Sequence, residues 1–274
     1  MKPIAEMDRF DLELEIARRP GLWERFDTDE LNAGTVSDNV YRRELALYIE
    51  KRKLSTRDFY KEFESTIRKI ANRHHVQKVF SDFCEMSALA IANALQFRED
   101  REEQYMRLVG QYEKDEPNKI ASLLAITVDA LEWEMQDSLG TVFSRLDLAG
   151  NNGQFFTPYS VSRMMARTNI EIDDFKRSKF LTLLEPACGA GSMVIAVAEH
   201  LAGNKINYQK QLCVTAIDVN STAAHMAYIQ LSLLGIPAIV YIGNTLSNEI
   251  RDEFFTPVYA LYMHRFQEPR GTKQ

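Results

Sequence analysis

Hydrophobic residues recur at helical spacing through most of the first half of the chain. The pattern is clearest over residues 76–95, and its predicted buried face consists of Val76, Val79, Phe80, Phe83, Ala90 and Ile91. A Ser-x-x-acid sequence at 55–58 matches the start of a helix, and Pro117 suits the first turn of another. The charged run 98–114 is typical of a solvated helix face. These patterns predict a helical domain over residues 56–150.

The first 55 residues follow a less regular pattern. The stretches "RPGLW" and "LNAGTVSDN" interrupt their apolar positions with glycine, proline and polar residues. Residues 1–55 are therefore predicted to form an N-terminal appendage.

After a polar break near residue 150, short apolar runs alternate with helical segments. The predicted strands are 179–187, 211–218 and 237–244, and the predicted helices are 192–201 and 221–235. Strands and helices in alternation imply parallel strands joined by crossover helices. Residues 151–274 are thus predicted to be an α/β domain with an open doubly wound sheet.

Composition and charge narrow the possible partners. The apolar runs are too short to span a bilayer, and the acidic first residues resemble no signal peptide, so we expect a cytoplasmic protein without a membrane partner. Three widely separated cysteines indicate neither a disulfide framework nor a zinc site. A net charge of -6 argues against binding nucleic acid through overall charge, so any DNA contact must come from a local patch or a partner.

Residues suited to a nucleoside cofactor stand where the predicted parallel strands end. Gly189 and Gly191 permit close approach of backbone to a ligand, Asp218 is suited to ribose hydroxyls, and Asn244 to an adenine edge. The loop "ACGAGSM" lacks the third glycine of the dinucleotide-binding pattern GxGxxG. A cofactor without a pyrophosphate fits this loop better, and S-adenosylmethionine is the candidate.

Four short elements occur in an informative order: "NGQFFTP", "EPACGAGSM", "AIDVN" and "GNTL". In order and spacing they resemble the N6-adenine DNA methyltransferases typified by the modification subunits of type I restriction–modification systems. The resemblance covers roughly residues 60–246, and those proteins also place a helical domain before the first element. It implies an incomplete Rossmann-like, S-adenosylmethionine-dependent methyltransferase domain, with DNA as the substrate.

The resemblance also implies cofactor-binding residues. They are Phe155, Thr157 and Pro158 at the methionine end, Glu185, Ala187, Gly189, Gly191 and Ser192 in the central loop, Asp218 at the ribose and Asn244 at the adenine.

The chain departs from the family at its catalytic motif. Family members follow a fourth apolar strand with Asn or Asp, two prolines and an aromatic residue, which hold the exocyclic amine and stack on the flipped base. No such sequence occurs here. Thr256, Pro257 and Tyr259 form a faint echo of it, but threonine is too short to do the work of asparagine in the same place.

Two functional classes remain open. The polar start of residues 247–255 argues against a buried parallel strand, so the sheet is expected to be truncated after its third or fourth strand. The first class is an enzyme subunit of restriction–modification or mobile-element type that contacts DNA through a partner, as a homo-oligomer or hetero-complex. The alternative is a catalytically inactive methyltransferase-like protein that binds or regulates a partner.

Overall fold

A computed structural model describes residues 4–9, 11–12, 16, 36–53, 58–148, 156–178 and 180–266. Ile4–Glu6 form a short 3-10 turn. The helices before the sheet are α1 (Asp38–Lys53), α2 (Phe59–Ile70), α3 (Val76–Leu95), α4 (Glu99–Val109), α5 (Glu116–Trp133), α6 (Ser138–Arg145), α7 (Tyr159–Asn169) and α8 (Ile172–Arg177). No helix in these ranges combines the length and apolar character needed to cross a membrane.

The helical pattern of residues 59–145 is confirmed, with local corrections. The side chain of Asp58 accepts a hydrogen bond from the Lys61 amide at 3.1 Å, so Asp58 itself caps α2, while Ser55 lies outside the described residues. Pro117 lies in the first turn of α5 as predicted. Within α3, Ala90 is exposed, whereas Met86 and Leu89 are buried because α3 packs against α5 and against a helix of the sheet region.

The second half contains a four-stranded sheet whose first three strands are parallel. Its elements are β1 (Leu181–Glu185), α9 (Ser192–Gly203), α10 (Tyr208–Gln211), β2 (Leu212–Asp218), α11 (Ser221–Leu233), β3 (Ala238–Asn244), β4 (Glu249–Phe255) and α12 (Pro257–Phe266). The strands lie in the order β1-β2-β3-β4. Connections through α9 and α11 between parallel neighbours confirm the predicted α/β fold.

The fourth strand differs from the first three. β4 returns antiparallel along β3 after a short turn, so the sheet is mixed at this edge. Glu249, Ile250, Arg251 and Glu253 are exposed, which agrees with the polarity that argued against a buried parallel strand. An edge strand exposes one row of backbone groups and tolerates charged side chains, whereas a parallel strand inside the sheet does not.

One hydrophobic cluster runs through the helical region and the sheet region, from Phe63 to Phe254. A separate small cluster lies within residues 7–48 and includes Leu12, Tyr41 and Leu45. The Tyr48 hydroxyl of this cluster donates to the Glu132 carbonyl at 2.5 Å. The domain boundaries at residues 55 and 150 remain predictions. Because the helices and the sheet share one core, the helices pack directly against the sheet region.

Candidate cofactor pocket

The carboxyl ends of the three parallel strands lie side by side. Glu185 ends β1 and pairs in register with Ala216, two residues before Asp218 at the end of β2. Asp218 pairs with Ile242, two residues before Asn244 at the end of β3. The loops that follow these strands therefore border one crevice, which is where open α/β sheets bind ligands.

The loop after β1 depends on glycine at two positions. Gly189 has a φ of 55° and Gly191 a φ of 90°, in the left-handed region that side chains disfavour. The loop is fixed to β2 because the Cys188 amide donates to the Ile217 carbonyl at 2.8 Å. The Gly189 amide donates to Oδ2 of Asp218, also at 2.8 Å. Asp218 thus holds the glycine loop as well as facing the crevice.

The start of α9 is tied to the start of α7. The hydroxyl oxygens of Ser192 and Ser162 lie 2.8 Å apart, and Ser162 is fully buried. The Ser192 hydroxyl also donates to the Thr157 carbonyl at 3.4 Å. These contacts bring the "TP" of the sequence element "NGQFFTP" to the first turn after the glycine loop.

A cavity of about 330 Å³ opens between these elements. It is lined by Phe156, Thr157, Ser162, Glu185, Ala187, Cys188, Gly189, Ala190, Ser192, Met193 and Asp218. Among these described lining residues are two carboxylates and no lysine, arginine or histidine. The cavity falls within the size range of small-molecule sites and has an acidic lining.

Burial and nearby negative charge affect two side chains of the cavity, Glu185 and Cys188. Burial raises the pKa of the half-buried Glu185, and the charge of Asp218 adds to this increase. Burial also raises the pKa of the Cys188 thiol well above its ordinary value, and the charges of Asp218 and Glu185 raise it further. Cys188 therefore remains a neutral thiol, so it contributes packing to the loop rather than a nucleophile.

Of the residues named from the sequence, the structure brings six to the cavity wall. They are Thr157, Glu185, Ala187, Gly189, Ser192 and Asp218. Gly191 belongs to the loop but does not line the cavity: it faces α11, where an added Cβ would approach the Cα of Ala227 to 3.4 Å. Pro158 precedes α7 and its carbonyl accepts from the Ser162 amide. Phe155 lies outside the described residues.

Asn244 stands beside this cavity rather than in its wall. Its side-chain oxygen accepts from the Leu246 amide at 2.9 Å, which leaves the NH₂ group to face a ligand. The Thr245 hydroxyl donates to the Pro186 carbonyl at 2.6 Å and so links this loop to the glycine loop. Val219 and Leu246, which follow β2 and β3, are exposed apolar residues.

The structure does not bring the faint catalytic echo to the cavity. Thr256 is fully buried, and its hydroxyl donates to the Ile236 carbonyl at 2.8 Å and accepts from the Ala238 amide. Ala238 begins β3, whereas the crevice lies where β3 ends, about 20 Å away at the rise of an extended strand. Pro257 opens α12, and Tyr259 stacks on Phe255.

Sequence reasoning missed five lining residues: Phe156, Ser162, Cys188, Ala190 and Met193. Phe156 is the most informative, because an added Cβ at Gly189 would lie 2.9 Å from its ring. The ring also packs edge-on against Phe143 of α6, with centroids 4.9 Å apart. The sequence pointed to the neighbouring Phe155, and only the fold shows that the ring of Phe156 packs over the loop.

The family model described as N-6 DNA Methylase matches residues 142–260. The match covers less than half of the chain, and it shows that this segment is similar to that family. The match covers β1 to β4 and the whole glycine loop, and it confirms the resemblance to N6-adenine methyltransferases. The methylase segment is of the S-adenosylmethionine-dependent class, and S-adenosylmethionine is its cofactor.

Two further comparisons add little to this assignment. One similar solved structure is a candidate class I S-adenosylmethionine-dependent methyltransferase from Listeria monocytogenes, with 12% sequence identity and a TM-score of 0.30. The similarity covers 70% of this chain and 71% of that chain, and no conclusion rests on a likeness of this size. A search of curated protein sequences finds no match.

Proposed function

We propose that this chain binds S-adenosylmethionine in the cavity beside the glycine loop and takes part in N6 methylation of adenine in DNA, within a restriction–modification or mobile-element system. The observation that carries the proposal is the acidic lining of the cavity. S-adenosylmethionine carries a positive sulfur and a positive amino group, so two carboxylates without a competing cation suit it. A pyrophosphate-containing cofactor would be repelled by the same lining.

The residues present fit this cofactor. When bound, S-adenosylmethionine supplies a methyl group that its positively charged sulfur makes electrophilic. Glu185 and Asp218 would accept hydrogen bonds from amino and hydroxyl groups, since each oxygen of Asp218 has a lone pair left beside the backbone amide it already holds. The exposed apolar side chains of Val219 and Leu246 would border a purine ring.

Methyl transfer to adenine needs a second set of groups. The exocyclic amine must lie in line with the methyl carbon, and its hydrogens need acceptors. The sequence contains no Asn/Asp-Pro-Pro-aromatic element, and Thr256 lies at the far end of the sheet. We therefore propose that a partner subunit or a second copy supplies the base pocket and the contact with DNA.

Calorimetric titration with S-adenosylmethionine tests the cofactor site. We expect Asp218→Ala to weaken binding by about 1–3 kcal/mol, because Asp218 both faces the crevice and fixes the glycine loop. Asp100→Ala is the matched control, since Asp100 pairs with Arg98 on the exposed face of α4. Absence of binding by the unmodified chain, or equal affinities for both variants, would contradict the proposed site.

Transfer of labelled methyl groups to unmethylated DNA tests the reaction. We expect little N6-methyladenine from the chain alone and turnover once a partner that completes the site is added. Robust turnover by the chain alone would disprove the need for a partner. Cofactor binding with no turnover in any complex would favour the alternative of an inactive binding or regulatory protein. The cytoplasmic location stays a prediction from the sequence.

A further inference from the structure

Gln230 lies at the back of the glycine loop, on α11, and is fully buried. Its Nε2 donates to the Ala190 carbonyl at 2.8 Å and to Oδ1 of Asp137 at 2.9 Å. Its Oε1 accepts from the Leu139 amide at 3.0 Å. Both amide hydrogens and the amide oxygen are therefore used, in a place where an unmade hydrogen bond is costly.

The carbonyl that Gln230 binds belongs to the peptide unit between Ala190 and Gly191. The other side of this unit is also held, because the Gly191 amide donates to the Cys188 carbonyl at 2.8 Å. Gly191 has a φ of 90°, and glycine allows such a peptide unit to rotate at low cost. The hydrogen bond from Gln230 opposes that rotation and so fixes which backbone groups the loop presents to the cavity.

Asp137 completes the arrangement from the helical region. It is buried, it precedes α6, and its Oδ1 also accepts from the Gly140 amide at 2.8 Å. An added Cβ at Gly140 would lie 2.1 Å from Oδ2 of Asp137, so the carboxylate is closely confined. The start of α6 and the glycine loop are thereby joined through a single side chain, Gln230.

We propose that Gln230 is a positioning residue for the cofactor pocket: it locks the Ala190–Gly191 peptide unit and couples the loop to α6 through Asp137. The expected effect of Gln230 on cofactor affinity rests on the proposed function. The expected effect of Gln230 on the glycine loop does not. Gln230 is not among the described residues that line the cavity, and it reaches the lining through the Ala190 carbonyl, so its action is indirect.

Two measurements on the full chain test the proposal: affinity for S-adenosylmethionine and hydrogen exchange of the peptide that spans the glycine loop. Gln230→Met keeps the side-chain length and removes all three hydrogen bonds. We expect about tenfold weaker binding and about tenfold faster loop exchange. If the methionine variant does not fold, Gln230→Asn replaces it in both measurements, because its side chain keeps the amide but is too short to reach the same partners.

Tyr208→Phe is the matched control. It removes a buried hydrogen bond of similar kind, from the Tyr208 hydroxyl to the Leu234 carbonyl at 2.9 Å, one helical turn after Gln230 at the C-terminal end of α11 but not to the glycine loop. Its loop exchange and affinity should stay within about twofold of the unmodified chain. If Gln230→Met and Tyr208→Phe give equal loop exchange and equal affinity, Gln230 does not position the loop.

Substitutions at Asp137 separate positioning from general stability. Asp137→Asn keeps an oxygen where Oδ1 accepts both hydrogen bonds, whereas Asp137→Leu removes it. Loop exchange should therefore rise much less in the asparagine variant than in the leucine variant, and equal increases would overturn the coupling. If the unmodified chain binds no S-adenosylmethionine, the proposed function fails, and loop exchange alone still decides the role of Gln230.

Discussion

Individual residues in the pocket serve structure and ligand at the same time. Asp218 is suited to ribose, yet one of its oxygens holds the Gly189 amide and the other holds the Asn220 amide. Gly189 leaves room for the ring of Phe156, and Gly191 leaves room for α11. Substitutions of these residues therefore change the conformation of the loop as well as its direct contacts with a ligand.

Gly191→Ala should destabilise the protein by about 1–3 kcal/mol, because a left-handed backbone is strained for a side chain. The new Cβ would also approach Ala227 to 3.4 Å. Urea unfolding measures the loss. Gly110→Ala is the control, since Gly110 has a φ of -65° at the end of α4 and accommodates alanine. Equal stability of the two variants would show that the left-handed turn is not required.

The affinity for S-adenosylmethionine should depend on pH through Glu185. Burial raises the pKa of this carboxyl, and a positively charged ligand needs it ionised. Affinity should therefore be full above that raised pKa and should fall as the pH decreases through it, sooner than for an ordinary glutamate. Titrations from about pH 4, near the ordinary pKa of a glutamate, up to about pH 8 measure the change. Glu185→Gln should lack this dependence, and tighter binding of the unmodified chain at lower pH would contradict the role of Glu185.

At the scale of elements, the two ends of the parallel strands differ in the contacts that they make. The carboxyl ends of β1, β2 and β3 form the crevice, whereas the opposite ends carry structural contacts such as those of Thr256. β4 covers the outer edge of β3, and Arg101 of α4 holds it by donating to the Glu253 carbonyl at 2.8 Å. The predicted ligand contacts therefore lie at one end of the parallel strands, and the contacts of Thr256 lie at the other end.

Thr256→Val tests this separation. The variant loses the hydrogen bonds to Ile236 and Ala238, so we expect a loss of about 1–3 kcal/mol in the free energy of unfolding. Its affinity for S-adenosylmethionine should equal that of the unmodified chain, measured by calorimetry under conditions where both are folded. A specific loss of affinity at unchanged stability would assign Thr256 to the pocket after all.

At the scale of the whole molecule, the helical region and the sheet share one core. Phe80 of α3 packs against Phe63 with ring centroids 6.3 Å apart and against Phe143 at 5.8 Å. Phe143 in turn contacts Phe156 beside the glycine loop. A chain of aromatic rings therefore connects α2 and α3 with the pocket, and the helices support the site physically.

Phe80→Ala should lower the stability of residues 59–145 and of residues 181–255 together, by about 3–5 kcal/mol. The reason is that a cavity in a shared core weakens both parts. Hydrogen exchange of peptides from the two regions measures each separately. Phe97→Ala is the control, because Phe97 is 68% exposed. A loss confined to the helices would indicate two independent domains.

The sequence allowed the pocket to be predicted in outline. Apolar runs in alternation with helical segments predicted β1, β2, β3, α9 and α11 within a few residues, because most residues of these elements are apolar and pack in the core. Since parallel strands align their carboxyl ends, the strand pattern alone was enough to place Glu185, Asp218 and the glycines around one crevice.

The remaining features depend on contacts between residues far apart in the chain. The polarity of β4 argued against a buried parallel strand but did not show its antiparallel course. The position of Phe156 over Gly189 and the burial of Gln230 between Asp137 and Ala190 have no local signature. A polar residue inside a helix is expected to be solvent-exposed until the tertiary structure supplies its partners. The sequence by itself determined the elements, the glycine loop and the chemistry of the strand ends. Only the tertiary structure decided which side chains hold that loop in place, because packing brings together residues that no periodicity relates.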